Sequence, residues 1–228
     1  MAASNKRIYS SADIPLAHGA RLELWTLSPS DKEYDNFLVW LATQIPGLVT
    51  RRVAVNRSRN DLSAVVFISV GDDAMLFGGD LEEEGNANTG WSAIIGGSGR
   101  PRQKCSLFKI AHHGSPTGDH PEIWTELLMP APTAALAPWK RGKGSLPSQI
   151  DVQRILGFTS DAYSTTSLAG RKPRARGRTV ERTIKEASKS FSALPQHPGA
   201  VRFRKAVGKG AWQVSLFGDA VPLARVHS

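Results

Sequence analysis

Cysteine is almost missing from this chain, and the single Cys105 excludes an intrachain disulfide. Its place beside an apolar stretch makes it a small packing residue rather than a nucleophile. Long apolar runs are missing too. None approaches the ~18 residues that a membrane span requires, and the first residues lack the apolar segment of a secretory signal. The expected setting is therefore cytoplasmic, with no membrane partner. Acidic residues are outnumbered, 20 against 29 lysines and arginines, and the resulting net charge of +9 asks for an acidic partner or substrate. The same excess is also compatible with ordinary solubility. Histidine is sparse in the first half: only His18 precedes His112, in a polar N-terminal stretch, and it reads as a surface side chain.

What is present is enough for a core. The 228 residues, 40% hydrophobic, hold either one domain or a domain fragment with an extension. The most informative stretch is Cys105-Ser106-Leu107-Phe108-Lys109-Ile110-Ala111-His112-His113-Gly114-Ser115. Its apolar part is too short for a helix and reads as a buried strand. Gly114 permits a sharp turn immediately afterwards, so the imidazoles sit at a strand end. Upstream, Ala64–Val70, Gly71-Asp72-Asp73 and Ala74–Phe77 read as a hairpin whose second strand ends in Gly78-Gly79-Asp80. A carboxylate at one strand end and imidazoles at another can converge on a metal, since Asp oxygen and His nitrogen are both ordinary zinc ligands. The plainer alternatives are an Asp that forms a turn or caps a helix, and a histidine that donates to a backbone carbonyl.

Elsewhere, Leu22–Leu27 alternates like a half-buried strand. Tyr34, Phe37, Leu38, Trp40, Leu41 and Ile45 recur at near-helical spacing, which predicts a helix of about four turns with its apolar side in the core, capped by Ser30 or Asp31. Glu82-Glu83-Glu84 fits either a helix start or a solvated turn, and Thr89–Ile95 a short helical piece. Helices are expected around Glu122–Leu128 and Ile150–Leu156, and strands at Ala134–Pro138 and Asp161–Thr166. Between Arg171 and Lys189, Arg171, Lys172, Arg174, Arg176 and Arg178 lead a basic run that is either a solvated face or a nucleic-acid contact. Beyond it, Val201–Arg204 and Trp212–Phe217 read as two strands joined through Gly208-Lys209-Gly210, a hairpin capping the domain. The division expected is residues 1–170 as the main unit, with 171–228 as the basic segment and hairpin packed on it.

Three ordered stretches carry a family likeness. Asn60-Asp61-Leu62-Ser63-Ala64-Val65-Val66, Leu76-Phe77-Gly78-Gly79-Asp80-Leu81-Glu82 and Phe108-Lys109-Ile110-Ala111-His112-His113-Gly114-Ser115 resemble successive signatures of metallo-β-lactamase-fold hydrolases. The branch is the bacterial one similar to the C-terminal domain of the DNA-uptake protein ComEC. The likeness covers roughly Leu22 to Thr166 and only the second half of the family's domain. It implies an α/β fold, the C-terminal half of an αββα sandwich, with a basic helical and hairpin extension. It further implies a metal-dependent hydrolase acting on phosphodiesters, with nucleic acid as substrate class and zinc or manganese as cofactor, as one ion or a bridged pair. In that reading Asp80 bridges the metals, while His112 and His113 supply one ligand and one neighbouring or proton-transferring group.

The departures from the family pattern matter equally. The histidine-rich H-x-H-x-D-H loop has no counterpart in this chain, and Leu146 stands before Pro147 where many relatives carry a histidine. A leucine has no lone pair to offer. Asp80, His112 and His113 then make at best a bare minimum of the three protein donors of a catalytic zinc site. Either this chain holds only part of the fold, as a fragment or with a separate chain that supplies the first half, or it is a non-catalytic nucleic-acid-binding or assembly subunit. A place in a bacterial defence or mobile-element system fits either by association alone.

Overall fold

Alternation of side chains across a pleat decides the architecture, because it sorts each strand into two faces. The computed structural model describes residues 5–11, 19–45, 60–141, 144–169, 176–188 and 199–228. Its centre is a mixed eight-stranded sheet, and the chain is of the α/β class. The strands of this sheet are β1 (Lys6–Ser10), β2 (Leu22–Thr26), β3 (Val66–Val70), β4 (Asp73–Phe77), β5 (Cys105–Lys109), β6 (Leu128–Leu136), β9 (Ala162–Ser164) and β12 (Val221–Pro222), in that spatial order. β1 to β4 pair antiparallel, β4, β5, β6 and β9 pair parallel, and β12 closes the edge antiparallel. A small ribbon, β7 (Trp139–Arg141) with β8 (Gly144–Leu146), stands apart from the sheet.

The register lines up one row of side chains across the sheet: Trp25, Phe67, Leu76, Phe108, Ala134 and Ala162. Except for the partly buried Trp25, this row is buried in the core with Trp91 and Ile94 of helix α2 (Gly90–Gly96) and Val152 and Ile155 of helix α3 (Gln149–Phe158). Ile123 and Trp124 join them from a helical turn, Ile123–Leu127, with the wide winding of a π-helix. An aromatic train runs through the layer. Trp91 meets Phe108 edge-on at 6.4 Å, Phe108 meets Trp124 edge-on at 5.5 Å, and Trp124 stacks on Phe158 at 4.7 Å. Each such pair contributes about 0.5–1.5 kcal/mol beyond the area it buries. Cys105 is 1% exposed within this core, as a packing role requires, and burial pushes its thiol up to about 12.

The neighbouring row, Thr26, Val66, Phe77, Lys109, Ala135 and Tyr163, faces the other way. Over the β5–β9 side of that face lies the hairpin of β10 (Ala200–Arg204) and β11 (Gln213–Phe217), with Phe203 edge-on to Tyr163 at 6.3 Å. Trp212 donates its indole N–H to the Ser106 hydroxyl at 3.1 Å. Lys205 pairs with Asp73 at 2.6 Å, and the Gly208 N–H donates to the same carboxylate at 2.9 Å. Burial pushes the Asp73 carboxyl up, but the Lys205 hydrogen bond, the Gly208 N–H and the Lys205 charge outweigh it and hold it below its ordinary 3.8. A lowered folded-state pKa means that this anchor stabilises fully above the unfolded-state pKa and is lost as pH falls through the folded-state value. Asp73→Asn is expected to cost about 3 kcal/mol at neutral pH, because it leaves a half-buried ammonium unpaired. It should also flatten the acid limb of stability below pH ~4. Urea unfolding across pH, with hydrogen exchange at the β10 amides, measures both effects; an unchanged acid limb would refute the anchor.

Several local expectations are altered by packing. Helix α1 (Asp31–Gln44) starts at Ser30, one of the two caps its sequence offers, in a capping box with Glu33, but its apolar side is not in the core. Tyr34, Leu38 and Leu41 are exposed, because α1 docks through buried Glu33, which accepts N–H groups from Ser30 and from Gly90 at the start of α2. The helix expected to reach Leu128 ends at Leu127, and β6 begins at once and runs through Pro130, longer than the apolar pattern at Ala134–Pro138 predicts. β1 arises in a stretch without periodicity, through pairing with β2. No helix among the described residues is long and apolar enough to cross a membrane.

Candidate functional site

The parallel strands β4 and β5 end together at one rim, Phe77 opposite Lys109. Past their ends the two connections knit: Gly78 N–H donates to Lys109 O at 2.9 Å and His112 N–H to Gly79 O at 3.2 Å. Gly78 permits this approach, since a Cβ there would lie 2.8 Å from the Ala111 Cβ. The rim thus brings Asp80 into the same region as the His112-His113 turn, through backbone contacts far apart in sequence. His112, His113 and Gly114 all have left-handed backbones, with φ of 40°, 56° and 79°. For residues bearing a Cβ that conformation costs roughly 1–2 kcal/mol each, and such strain persists where surrounding contacts over-determine it, often at functional sites. Here Arg154 of α3 supplies one of those contacts. It donates to Gly114 O at 2.7 Å and pairs with Asp119, which also accepts the Trp124 indole N–H at 2.9 Å. Burial lowers the Arg154 pKa.

Both imidazoles are oriented by their Nδ1 atoms. His113 Nδ1 lies 2.8 Å from the Ala137 carbonyl, which can only accept, so that nitrogen carries the proton. In the neutral ring Nε2 then holds the lone pair. His112 Nδ1 faces the Glu82 carboxylate at 2.8 Å and the Thr117 hydroxyl at 3.1 Å, while its Nε2 is 3.4 Å from the Asn60 amide nitrogen. Ring centroids are 6.0 Å apart. An acceptor fixed on Nδ1 is the arrangement that orients a ligating imidazole through Nε2. Asp80 lies in the turn after β4 and caps no helix; its carboxylate is 3.9 Å from the Lys109 ammonium, which also donates to Gly79 O at 2.8 Å. Burial lowers the Lys109 pKa, partly offset by Asp80.

A catalytic metal centre needs about three protein donors. Among the described residues no group of three or more His, Cys, Asp or Glu side chains is placed to hold a metal ion. Asp80, His112 and His113 share the rim without forming such a group, so these residues alone do not fit a complete centre.

The sequence assigns no role to Asn60, Glu82, Lys109 or Thr117, which the structure sets beside the imidazoles and Asp80. Asn60, Glu82 and Lys109 lie inside the three motif stretches, and that placement is the signal the sequence offers. Thr117 carried none. Of the basic residues, Arg171, Lys172 and Arg174 lie outside the described residues. Arg176 precedes the solvent-exposed helix α4 (Arg178–Ala187), which has no buried residue, and it pairs with Glu181 at 3.6 Å; Arg182 pairs with Glu186 at 2.8 Å. Arg178 begins the helix. No protein-family model, no curated protein and no solved structure matches the chain.

Proposed function

We propose that this chain provides one half of a metallo-β-lactamase-like hydrolase directed at phosphodiesters of nucleic acid, with a separate chain supplying the other half. The observation that carries the reading is the pair of imidazoles, each with Nδ1 held by an acceptor so that the lone pair falls on Nε2, which in His112 faces the Asn60 amide nitrogen at 3.4 Å. A sheet with helices packed on one face is also one of the two halves that an αββα sandwich requires. Leu24, Val66 and Ile68, on the face opposite the helices, are only half-buried among the described residues, which gives a second half something to cover. This chain's share is two oriented imidazoles and a carboxylate, not a reaction of its own.

The test is metal binding by the isolated chain. Zn²⁺ titration should show a weak site, without hydrolysis of a phosphodiester substrate. Glu82→Gln, which removes the carboxylate behind His112, should weaken that site by about tenfold. Equal Zn²⁺ affinity in Glu82→Gln and His113→Ala as in the parent chain would end the ligand reading.

A second reading, a non-catalytic nucleic-acid-binding or assembly subunit, is favoured by one specific feature. The β10–β11 hairpin occupies part of the sheet face on which the second sheet of a sandwich would pack. Nucleic-acid affinity without any Zn²⁺ site supports that alternative.

A further inference from the structure

The β10–β11 hairpin does more than cover the sheet. Between Gly199 and Gly218 the chain has four basic residues, Arg202, Arg204, Lys205 and Lys209, and no acidic one. Register sorts them. Val201 opposite Leu216 and Phe203 opposite Val214 form the inward face, whereas Arg202 opposite Ser215 and Arg204 opposite Gln213 form the outward face. Lys205 turns back to Asp73, which leaves Arg202, Arg204 and Lys209 exposed to solvent. Among the described residues neither Arg202 nor Arg204 has a carboxylate partner.

The outward face also carries an aromatic ring. Phe217 is 46% exposed, and the Arg202 guanidinium lies over it at 4.9 Å with a hydrogen bond to the Ser215 hydroxyl at 3.4 Å. A flat cationic group on an exposed ring, with further arginine along the strand, matches what a single nucleic-acid strand offers: a phosphate every nucleotide and unpaired bases with open π-faces. A duplex hides those faces. A membrane surface fits poorly, because Phe217 is the only large apolar side chain on the outward face and insertion needs a broad apolar one. The mount is firm, since the Asp73, Ser106 and Tyr163 contacts tie the ribbon to the sheet.

We infer that the outward face of this ribbon binds single-stranded nucleic acid, with Arg202 and Arg204 on phosphates and the Arg202–Phe217 pair as a base platform. The choice of ligand accords with the nucleic-acid reading above, but the residues are other than those of the Arg171–Arg178 run and the binding requires no metal.

The experiment is fluorescence anisotropy of a labelled oligothymidylate with the full chain in chelator across a salt series, so that hydrolysis and metal play no part. Arg202→Ala with Arg204→Ala should reduce the salt slope by about 1.4, at roughly 0.7 per phosphate on a single strand. Phe217→Ala should weaken binding about tenfold with the slope unchanged. Circular dichroism checks that these exposed substitutions leave the fold intact. The inference is overturned if the parent chain does not bind, if the double variant retains parental affinity and slope, or if Phe217→Ala binds like the parent. It is also overturned if loss appears only on replacing Arg176 and Arg178, or if anionic phospholipid vesicles bind and the oligonucleotide does not. Absence of any Zn²⁺ site in a separate titration of the chain would refute the hydrolase-half reading and leave this result standing.

Discussion

Replacing Phe108 with alanine is expected to lower the unfolding free energy by about 3–5 kcal/mol, the range for removing a buried aromatic from a core that collapses only partly. Phe108 is 1% exposed and lies at the middle of the cross-sheet row, edge-on to both Trp91 and Trp124. Its loss therefore removes two aromatic contacts and opens a void under both the π-helical turn and α2. For a domain of this size a 4 kcal/mol loss corresponds to a fall in Tm of roughly 8–16 °C. Thermal unfolding of the variant measures it, and a fall of less than about 3 °C would show that this row is not the centre of the core.

The second large effect is expected at the rim. Gly79 has φ +56°, and a Cβ there would come 2.6 Å from the Ala64 carbonyl oxygen. Gly79→Ala combines a left-handed penalty of roughly 1–2 kcal/mol with a backbone collision that neither segment relieves cheaply. A total near 3 kcal/mol is expected. Because the Gly79 carbonyl accepts from His112 N–H and from Lys109, the displacement should also reach the imidazoles. The histidine NMR signals report on this directly. Shifted His112 and His113 resonances together with the stability loss are the expected result; a destabilised variant with parental histidine signals would show that Gly79 does not position the turn.

Much of the fold can be read from local patterns. The hairpin of β3 and β4 follows from two apolar runs around Gly71-Asp72, α1 begins at Ser30, one of the two caps its sequence offers, and α3 lies where Ile150–Leu156 predicts a helix. The β10–β11 pair appears where Val201–Arg204 and Trp212–Phe217 alternate. The expectations that changed have one cause in common: burial is settled by neighbours. The spacing of Tyr34, Leu38 and Leu41 specifies a helix and an apolar side, but not that Glu33 would be the side chain taken inside. Likewise β1 exists because β2 presents an edge, and a ladder formed with a distant partner leaves no period in a polar segment.

The site divides along the same line. Adjacent imidazoles before a glycine, and an Asp after paired glycines, mark two strand ends, because sharp turns and close backbone approaches favour the glycines beside them. That much is local, and the order of residues settles it alone. Which ends meet is not local. Parallel pairing of β4 with β5 places the Asp80 and His112-His113 segments at one rim, and Glu82, Thr117 and the Ala137 carbonyl then decide which ring nitrogen of each histidine is held. Tertiary structure also separates the hairpin into a face committed to the sheet and a face of arginine and phenylalanine turned to solvent. The physical reason is range: conformational preference acts over a few residues, whereas hydrogen-bond registry and burial act between segments that only the folded chain brings together.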